Sequence, residues 1–172
     1  MKRFLTIAAV AALAVFALSS CGNKENPDKK AQFDHAIVTA KYFINKDLDE
    51  AADVTLNITT FKGTKMPMPV STTQQVIDIE KYSGNLPAEF SFQFAATPKT
   101  DLKKDSYNCS LTYEITVKVY DSKGNVKKSK TSKDELIIGD KKDNVAWMLE
   151  RFNRAGAKFV INEDMSIDEK AL

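Results

Sequence analysis

Residues 107–119, YNCSLTYEITVKV, alternate between apolar and polar side chains without an error. The apolar positions are Tyr107, Cys109, Leu111, Tyr113, Ile115, Val117 and Val119. Successive side chains of a β-strand point to opposite faces, so this pattern predicts a long strand with one face in a core and the other in solvent. A helix would bury residues three and four positions apart, which this segment does not offer. The fold must therefore be built around a half-buried β-sheet.

Six other segments have the character of strands, and they lie on both sides of this one. They are residues 35–44, 52–61, 74–82, 89–95, 126–138 and 158–161. In 89–95 three phenylalanines share one face, and Phe92 at its centre is predicted to point into the core, as is Ile115 in the alternating strand. Segment 35–44 also fits a helical stripe, but its β-branched and aromatic content favours a strand. Two prolines in 66–69 are predicted to interrupt regular pairing there.

One helix is predicted late in the chain. Its buried stripe would be formed by Val145, Met148, Leu149 and Phe152, which follow helical spacing. Asp143 is placed to cap the first turn of this helix, and Gly156 to end it.

These elements together predict a mainly β chain. About seven antiparallel strands, separated by turns and followed by one helix near the C-terminus, are typical of a β-sandwich, immunoglobulin-like in the broad sense. We expect a single domain over residues 33–163. The polar segment 21–32 would form a flexible tether before it, and residues 164–172 a C-terminal tail.

The first 21 residues have the composition of a secretory signal peptide and read MKRFLTIAAVAALAVFALSSC. Lys2 and Arg3 precede an apolar stretch over residues 4–18, which is too short to cross a bilayer because a spanning helix needs about 20 residues. The stretch ends in Leu18-Ser19-Ser20-Cys21, which resembles the lipobox of bacterial lipoprotein precursors.

That resemblance implies a lipid anchor at Cys21. In proteins with a lipobox, the cysteine thiol receives a diacylglycerol thioether, the signal peptide (here residues 1–20) is removed, and the new amino terminus is usually acylated, with palmitate as the expected chain. Two or more acyl chains hold a protein stably on a membrane without spanning it. Gly22 directly follows the cysteine, at the position where an aspartate would favour retention of a lipoprotein in the inner membrane. The resemblance therefore implies the outer membrane of a Gram-negative bacterium, with the domain facing the periplasm or the cell surface.

The charge and cysteine content of the chain indicate which classes of partner to expect and what must stabilise the fold. The chain has 25 basic and 23 acidic residues, so removal of Lys2 and Arg3 with the signal peptide leaves 23 of each. A neutral chain lacks the basic excess of nucleic-acid-binding proteins, and we expect no nucleic acid as a partner. Once Cys21 is acylated, Cys109 is the remaining cysteine, so an internal disulfide is excluded and the core must supply the stability.

Few residues are candidates for chemistry, and no motif predicts a metal site or a cofactor. A candidate polyanion patch is formed by Lys127, Lys128, Lys130 and Lys133, which crowd one predicted strand. We favour the other interpretation of these lysines, as charges that protect an exposed sheet edge. His35 is the single histidine and lies beside the tether without a nucleophile motif, and Cys109 falls on a buried face. Neither is predicted to be catalytic.

The sequence therefore favours a lipid-anchored, non-enzymatic binding or accessory module of the envelope. Its partners would be the membrane, through the anchor, and an envelope protein or a glycan. The alternative is a hydrolase of envelope glycan or lipid, because acidic residues are plentiful. A pocket that joins several carboxylates, or His35 beside a serine, would favour the hydrolase.

Overall fold

The computed structural model describes residues 32–172, in which nine strands and two helices are found. The strands are β1 (Phe33–Ile44), β2 (Ala52–Thr59), β3 (Lys65–Pro69), β4 (Gln75–Tyr82), β5 (Ala88–Pro98), β6 (Ser106–Asp121), β7 (Val126–Lys141), β8 (Gly156–Ile161) and β9 (Ile167–Lys170). The helices are α1 (Lys46–Ala51) and α2 (Val145–Phe152), and a 3-10 turn at Lys142–Asn144 precedes α2. The predicted signal peptide, the lipidation site Cys21 and all of the predicted tether except Gln32 lie outside the described residues.

The strands form two sheets whose neighbouring strands are all antiparallel. The four-stranded sheet has the order β4-β1-β6-β7, and the five-stranded sheet has the order β3-β2-β5-β8-β9. Each sheet turns its apolar face toward the other, as the alternating strands require. The predicted fold class, a mainly β antiparallel β-sandwich with a helix near the C-terminus, is confirmed.

The core lies between the sheets and is rich in aromatic rings. Phe92 and Ile115 are both buried, as predicted, with exposed fractions of 1% and 0%. Phe92 on β5 meets Tyr113 on β6 with the ring centroids 5.5 Å apart and the planes at 65°, an edge-to-face contact across the sandwich. The core cluster runs from Ala36 to Ile161 along the chain, and residues 32–172 belong to one compact unit. This unit therefore carries its own core.

The ambiguous segment at the start of the domain is a strand. β1 lies inside its sheet and pairs with both β4 and β6. Every second residue from Ala36 to Ile44 is buried, whereas the intervening side chains reach the outer face. The β-branched and aromatic residues that favoured a strand therefore fit a sheet that is covered on one side.

Two segments differ from the sequence-based expectation because each forms an edge strand. The prolines of residues 66–69 do not interrupt pairing, since β3 pairs with β2 from Thr59 opposite Lys65 to Thr55 opposite Pro69. A proline is tolerated on an edge strand because its missing N–H can face solvent. The predicted C-terminal tail, 164–172, contains β9, which pairs with β8 at the opposite edge of this sheet.

Helix α2 buries the predicted stripe but has different ends. The buried residues are Val145, Met148, Leu149 and Phe152. Asp143 lies in the 3-10 turn, and Asn144 occupies the N-cap position, but its side chain does not cap the helix and donates to Asp140 Oδ1 at 2.9 Å instead. The helix ends at Phe152 with Asn153 as its C-cap, whereas Gly156 begins β8.

Helix α1 is absent from the sequence-based prediction because six residues are too few for a periodic pattern. Asn45 caps it, with Oδ1 accepting a hydrogen bond from the backbone N–H of Leu48 at 3.0 Å. Leu48 and Ala51 are its buried residues. Neither helix of residues 32–172 has the length and apolar character that a membrane span requires.

Candidate functional site

The four lysines of the candidate polyanion patch lie on β7, which is one of the two edge strands of the four-stranded sheet. They do not share one face. Lys128 and Lys130 stand opposite buried valines of β6 and so lie on the core side of the edge, whereas Lys133 stands opposite Glu114 on the outer face. Inward-pointing charges on an edge strand are one of the devices by which proteins prevent edge-to-edge aggregation.

Two of these lysines are held in ion pairs. Lys127 Nζ lies 3.0 Å from Oδ2 of Asp121, and hydrogen bonds from the Asn125 backbone and from Lys127 hold the pKa of that carboxyl well below its usual range. Lys130 Nζ lies 3.6 Å from Oε2 of Glu169 on β9, so this pair links edge strands of the two sheets. Both arrangements support edge protection rather than a freely available cationic surface.

Replacing Lys127, Lys128 and Lys130 together by glutamine in the soluble form, residues 22–172, is expected to increase self-association. Without these charges, a second molecule could pair with the unpaired backbone hydrogen-bonding groups of β7. Analytical ultracentrifugation measures the association, and retention on an anionic lipid or glycan matrix should stay unchanged.

The matched control replaces Lys46, Lys62 and Lys118 by glutamine, which gives the same change of net charge at exposed positions off the sheet edges. Its association state should equal that of the parent. Salt-sensitive retention of the parent on the anionic matrix, lost in the β7 variant without any change in association, would instead make β7 a polyanion site.

His35 and Cys109 are both engaged in structural contacts. His35 Nδ1 lies 2.6 Å from Asp34 Oδ2, and its ring stacks on Tyr120 with centroids 4.5 Å apart. Cys109 is fully buried, and burial raises the pKa of its thiol to about 12. The thiol therefore stays protonated at neutral pH, whereas nucleophilic attack would need a thiolate.

A groove of about 320 Å³ opens on the solvent side of the four-stranded sheet, across β1, β6 and β7. We call it the outer-face groove. Its outer-face residues are Lys41, Phe43, Thr112, Glu114, Lys133 and Glu135. The strand register explains the hollow, because the short side chain of Thr112 lies opposite Phe43 on one side and Glu135 on the other.

Charged side chains of alternating sign line the outer-face groove. Lys41 stands directly opposite Glu114, which in turn stands opposite Lys133. Directly opposite residues have β-carbons roughly 5 Å apart, close enough for ion pairs to form. No nitrogen–oxygen contact within 4.0 Å joins these three side chains in the described part of the chain. They are exposed and available to a ligand.

Apolar surface extends the groove on both sides. Phe43 is half-buried beside Thr112, Val76 on β4 stands next to Lys41, and Ile137 lies two residues beyond Glu135. Val76 and Ile137 are 69% and 61% exposed. The groove thus combines apolar surface with charged and hydroxyl side chains that can orient a small ligand.

A second and more polar cleft, of about 450 Å³, lies between α1 and the loop over residues 99–105. We call it the end cleft, since it lies where β1 ends. Lys104 Nζ is 2.7 Å from both Asp47 Oδ1 and Glu50 Oε2. Asp47 also accepts a hydrogen bond from the backbone N–H of Asn108 at 2.8 Å. These contacts tie α1 to the loop and to the start of β6.

The same contacts set the protonation of the end cleft. Hydrogen bonding to Lys104 lowers the pKa of both Asp47 and Glu50, and these carboxylates in turn raise the pKa of Lys104. A carboxylate kept ionised can act as a base, but it cannot donate the proton that a leaving group needs. Among residues 32–172 no group of three or more His, Cys, Asp or Glu side chains is placed to hold a metal ion.

Neither the groove nor the cleft can be recognised in the sequence alone. The groove residues come from three strands and meet only through the strand register. The end cleft has one local signal, since an asparagine followed by acidic residues at 47–50 is a typical helix start.

Comparisons of the chain with models of protein families, with curated proteins and with solved structures found no significant match.

Proposed function

We propose that this chain is a lipid-anchored, non-enzymatic binding protein of the Gram-negative envelope, attached to the outer membrane through Cys21. The lipobox resemblance of residues 18–21 supports the anchor, and the acyl chains would hold the protein on the membrane without a spanning segment. The polar residues 22–32 would then join the anchor to the first residue of β1.

The outer-face groove is the observation that carries the binding function. It offers charged side chains that form no ion pair with one another beside apolar surface, and these side chains stand on paired strands that hold them in place. Glu114 and Glu135 are its outer-face carboxylates, and both are exposed. General acid catalysis by a carboxyl group calls for a buried site, and both of these glutamates are open to solvent. Binding therefore suits this site better than hydrolysis.

A hydrolase of envelope glycan or lipid is the second candidate, and the end cleft is the observation that favours it. The cleft joins the carboxylates of Asp49, Glu50 and Asp101. Lys104 weakens this candidate, because it keeps the Glu50 carboxylate ionised, whereas hydrolysis of a glycoside needs one carboxylic acid with a raised pKa. The contacts of Lys104 already have a structural role in holding α1.

Replacing Cys21 by serine is expected to abolish lipid attachment and to remove the protein from the membrane fraction after cleavage, or to leave it as an uncut precursor. A serine hydroxyl is not alkylated under the conditions in which a thiolate is. Metabolic labelling with a palmitate analogue, followed by fractionation of the cells, measures both effects.

The matched control is Ser20→Ala, which keeps a small residue before the cysteine and should be labelled and anchored like the parent. The anchor assignment is wrong if the Cys21→Ser protein is cut normally and still sediments with the membranes.

A further inference from the structure

We infer that the outer-face groove binds a neutral saccharide, with one face of a sugar ring against Phe43 and its hydroxyl groups among the surrounding charges. The inference rests on the proposed function, because it names the ligand class of that same site. The argument uses the shape of the groove, the order of its charges and the size of its apolar surface.

The shape of the groove suits a small, flat ligand. Its volume of about 320 Å³ lies at the lower end of the roughly 300–1,000 Å³ that small-ligand sites span. Thr112 forms the floor, and Phe43 stands at one side with part of its ring exposed. A sugar ring has an apolar face of C–H groups that can pack on an aromatic side chain, and its hydroxyls lie around the ring edge.

The order of the charges selects for a neutral ligand. Lys41, Glu114 and Lys133 alternate across three neighbouring strands, and Glu135 follows beside Thr112. An anionic group drawn to either lysine would meet Glu114 nearby, and a cationic group drawn to Glu114 would meet a lysine on each side. Like charges at such short range repel. A hydroxyl group avoids this conflict, because it can accept a hydrogen bond from an ammonium and donate one to a carboxylate.

The size of the apolar surface argues for a small ligand rather than a protein partner. Phe43, Val76 and Ile137 are the apolar side chains exposed in and beside the groove, and charged residues separate them. A stable protein interface buries about 800 Å² on each partner around an apolar centre from which charged residues are depleted. The alternating charges lie at the centre of this surface instead of its rim.

Titration of the ¹⁵N-labelled soluble form, residues 22–172, with pairs of related disaccharides tests the inference. The probes are N,N′-diacetylchitobiose against its cationic parent chitobiose, and cellobiose against anionic cellobiouronic acid, with maltose as a further neutral sugar. We expect at least one neutral disaccharide to give saturable shifts of the backbone amides around Phe43, Thr112 and Lys133. Its charged counterpart should bind at least about fivefold more weakly.

Two variants separate a binding role from a structural one. Phe43→Ala should weaken binding of the neutral sugar by about tenfold, as loss of a stacking aromatic does. Glu114→Gln should strengthen binding of cellobiouronic acid, because the repelling charge is gone. It should weaken binding of the neutral sugar by about threefold or more, because a hydroxyl donates a weaker hydrogen bond to an amide oxygen than to a carboxylate. Glu163→Gln, in the exposed turn before β9, is the matched control and should change neither affinity.

Three results would overturn the saccharide assignment: no neutral sugar shifting the groove amides up to its solubility limit, a charged sugar binding more tightly than its neutral partner, or shifts that map to the end cleft. A photo-crosslinking amino acid in place of Lys133 in the full-length chain then tests the saccharide assignment separately from the proposed binding function. Capture of an envelope protein there would reject the saccharide and leave the binding function in place.

Discussion

Replacing Phe92 by alanine is expected to lower the free energy of unfolding by about 3–5 kcal/mol, the usual range when a phenylalanine is truncated in a packed core. Phe92 is 1% exposed, and its ring centroid lies 5.5 to 6.3 Å from those of Phe94, Tyr113 and Phe159. These rings are fixed on paired strands, so they cannot move in to fill the cavity that the alanine would leave. Denaturant unfolding of residues 22–172, followed by circular dichroism, measures the loss.

Phe43→Ala provides the matched control, because it removes the same side chain from the outer face of the same sandwich. Phe43 is only half-buried, so we expect a loss of no more than about 1 kcal/mol. A loss below about 1 kcal/mol for Phe92→Ala would contradict the placement of this face in the core. The control also shows that the Phe43→Ala protein is folded, which the saccharide titration requires.

The inner strands could be predicted from the sequence because their pattern is local. Each side chain of β6 faces either the core or the solvent, and the alternation of apolar and polar residues from Tyr107 to Val119 predicts which. The three phenylalanines of β5 follow the same rule. Burial on one face of a sheet determines which residue types are tolerated at every second position, so the pattern survives without knowledge of the neighbouring strands.

The edge strands of the five-stranded sheet, β3 and β9, could not be predicted in this way, because partners distant in sequence decide them. β3 pairs through residues that include two prolines, and β9 is four residues long, so neither carries an alternating pattern. The outer-face groove depends on register for the same reason. Lys41, Glu114 and Lys133 become neighbours only when β1, β6 and β7 pair as they do, and a slip of one residue would turn them to the core.

Replacing Gly156 by alanine is expected to lower the free energy of unfolding by about 1–3 kcal/mol, the range for added volume in a packed region. A β-carbon on Gly156 would lie 2.5 Å from the carbonyl oxygen of Phe92 and 3.0 Å from the α-carbon of Gln93. Both atoms belong to the backbone of β5, with which β8 pairs at this position. The two strands would have to separate where the Phe94 N–H donates to the Ala155 carbonyl at 2.9 Å. Thermal and denaturant unfolding of residues 22–172 measure the loss.

Gly139→Ala is the matched control, since it makes the same substitution in β7. The nearest atom to its β-carbon would be Oδ1 of Asn108 at 3.3 Å, on a side chain that can turn away. The alanine also reduces the conformational freedom of the unfolded chain, so we expect a change within about 0.5 kcal/mol of the parent or a slight gain in stability. Equal losses at the two positions would mean that the close approach of β5 and β8 is not what requires a glycine at 156. A large loss at Gly156 alone would show that this residue, whose sequence context suggests a helix end, is needed for the contact between two core strands.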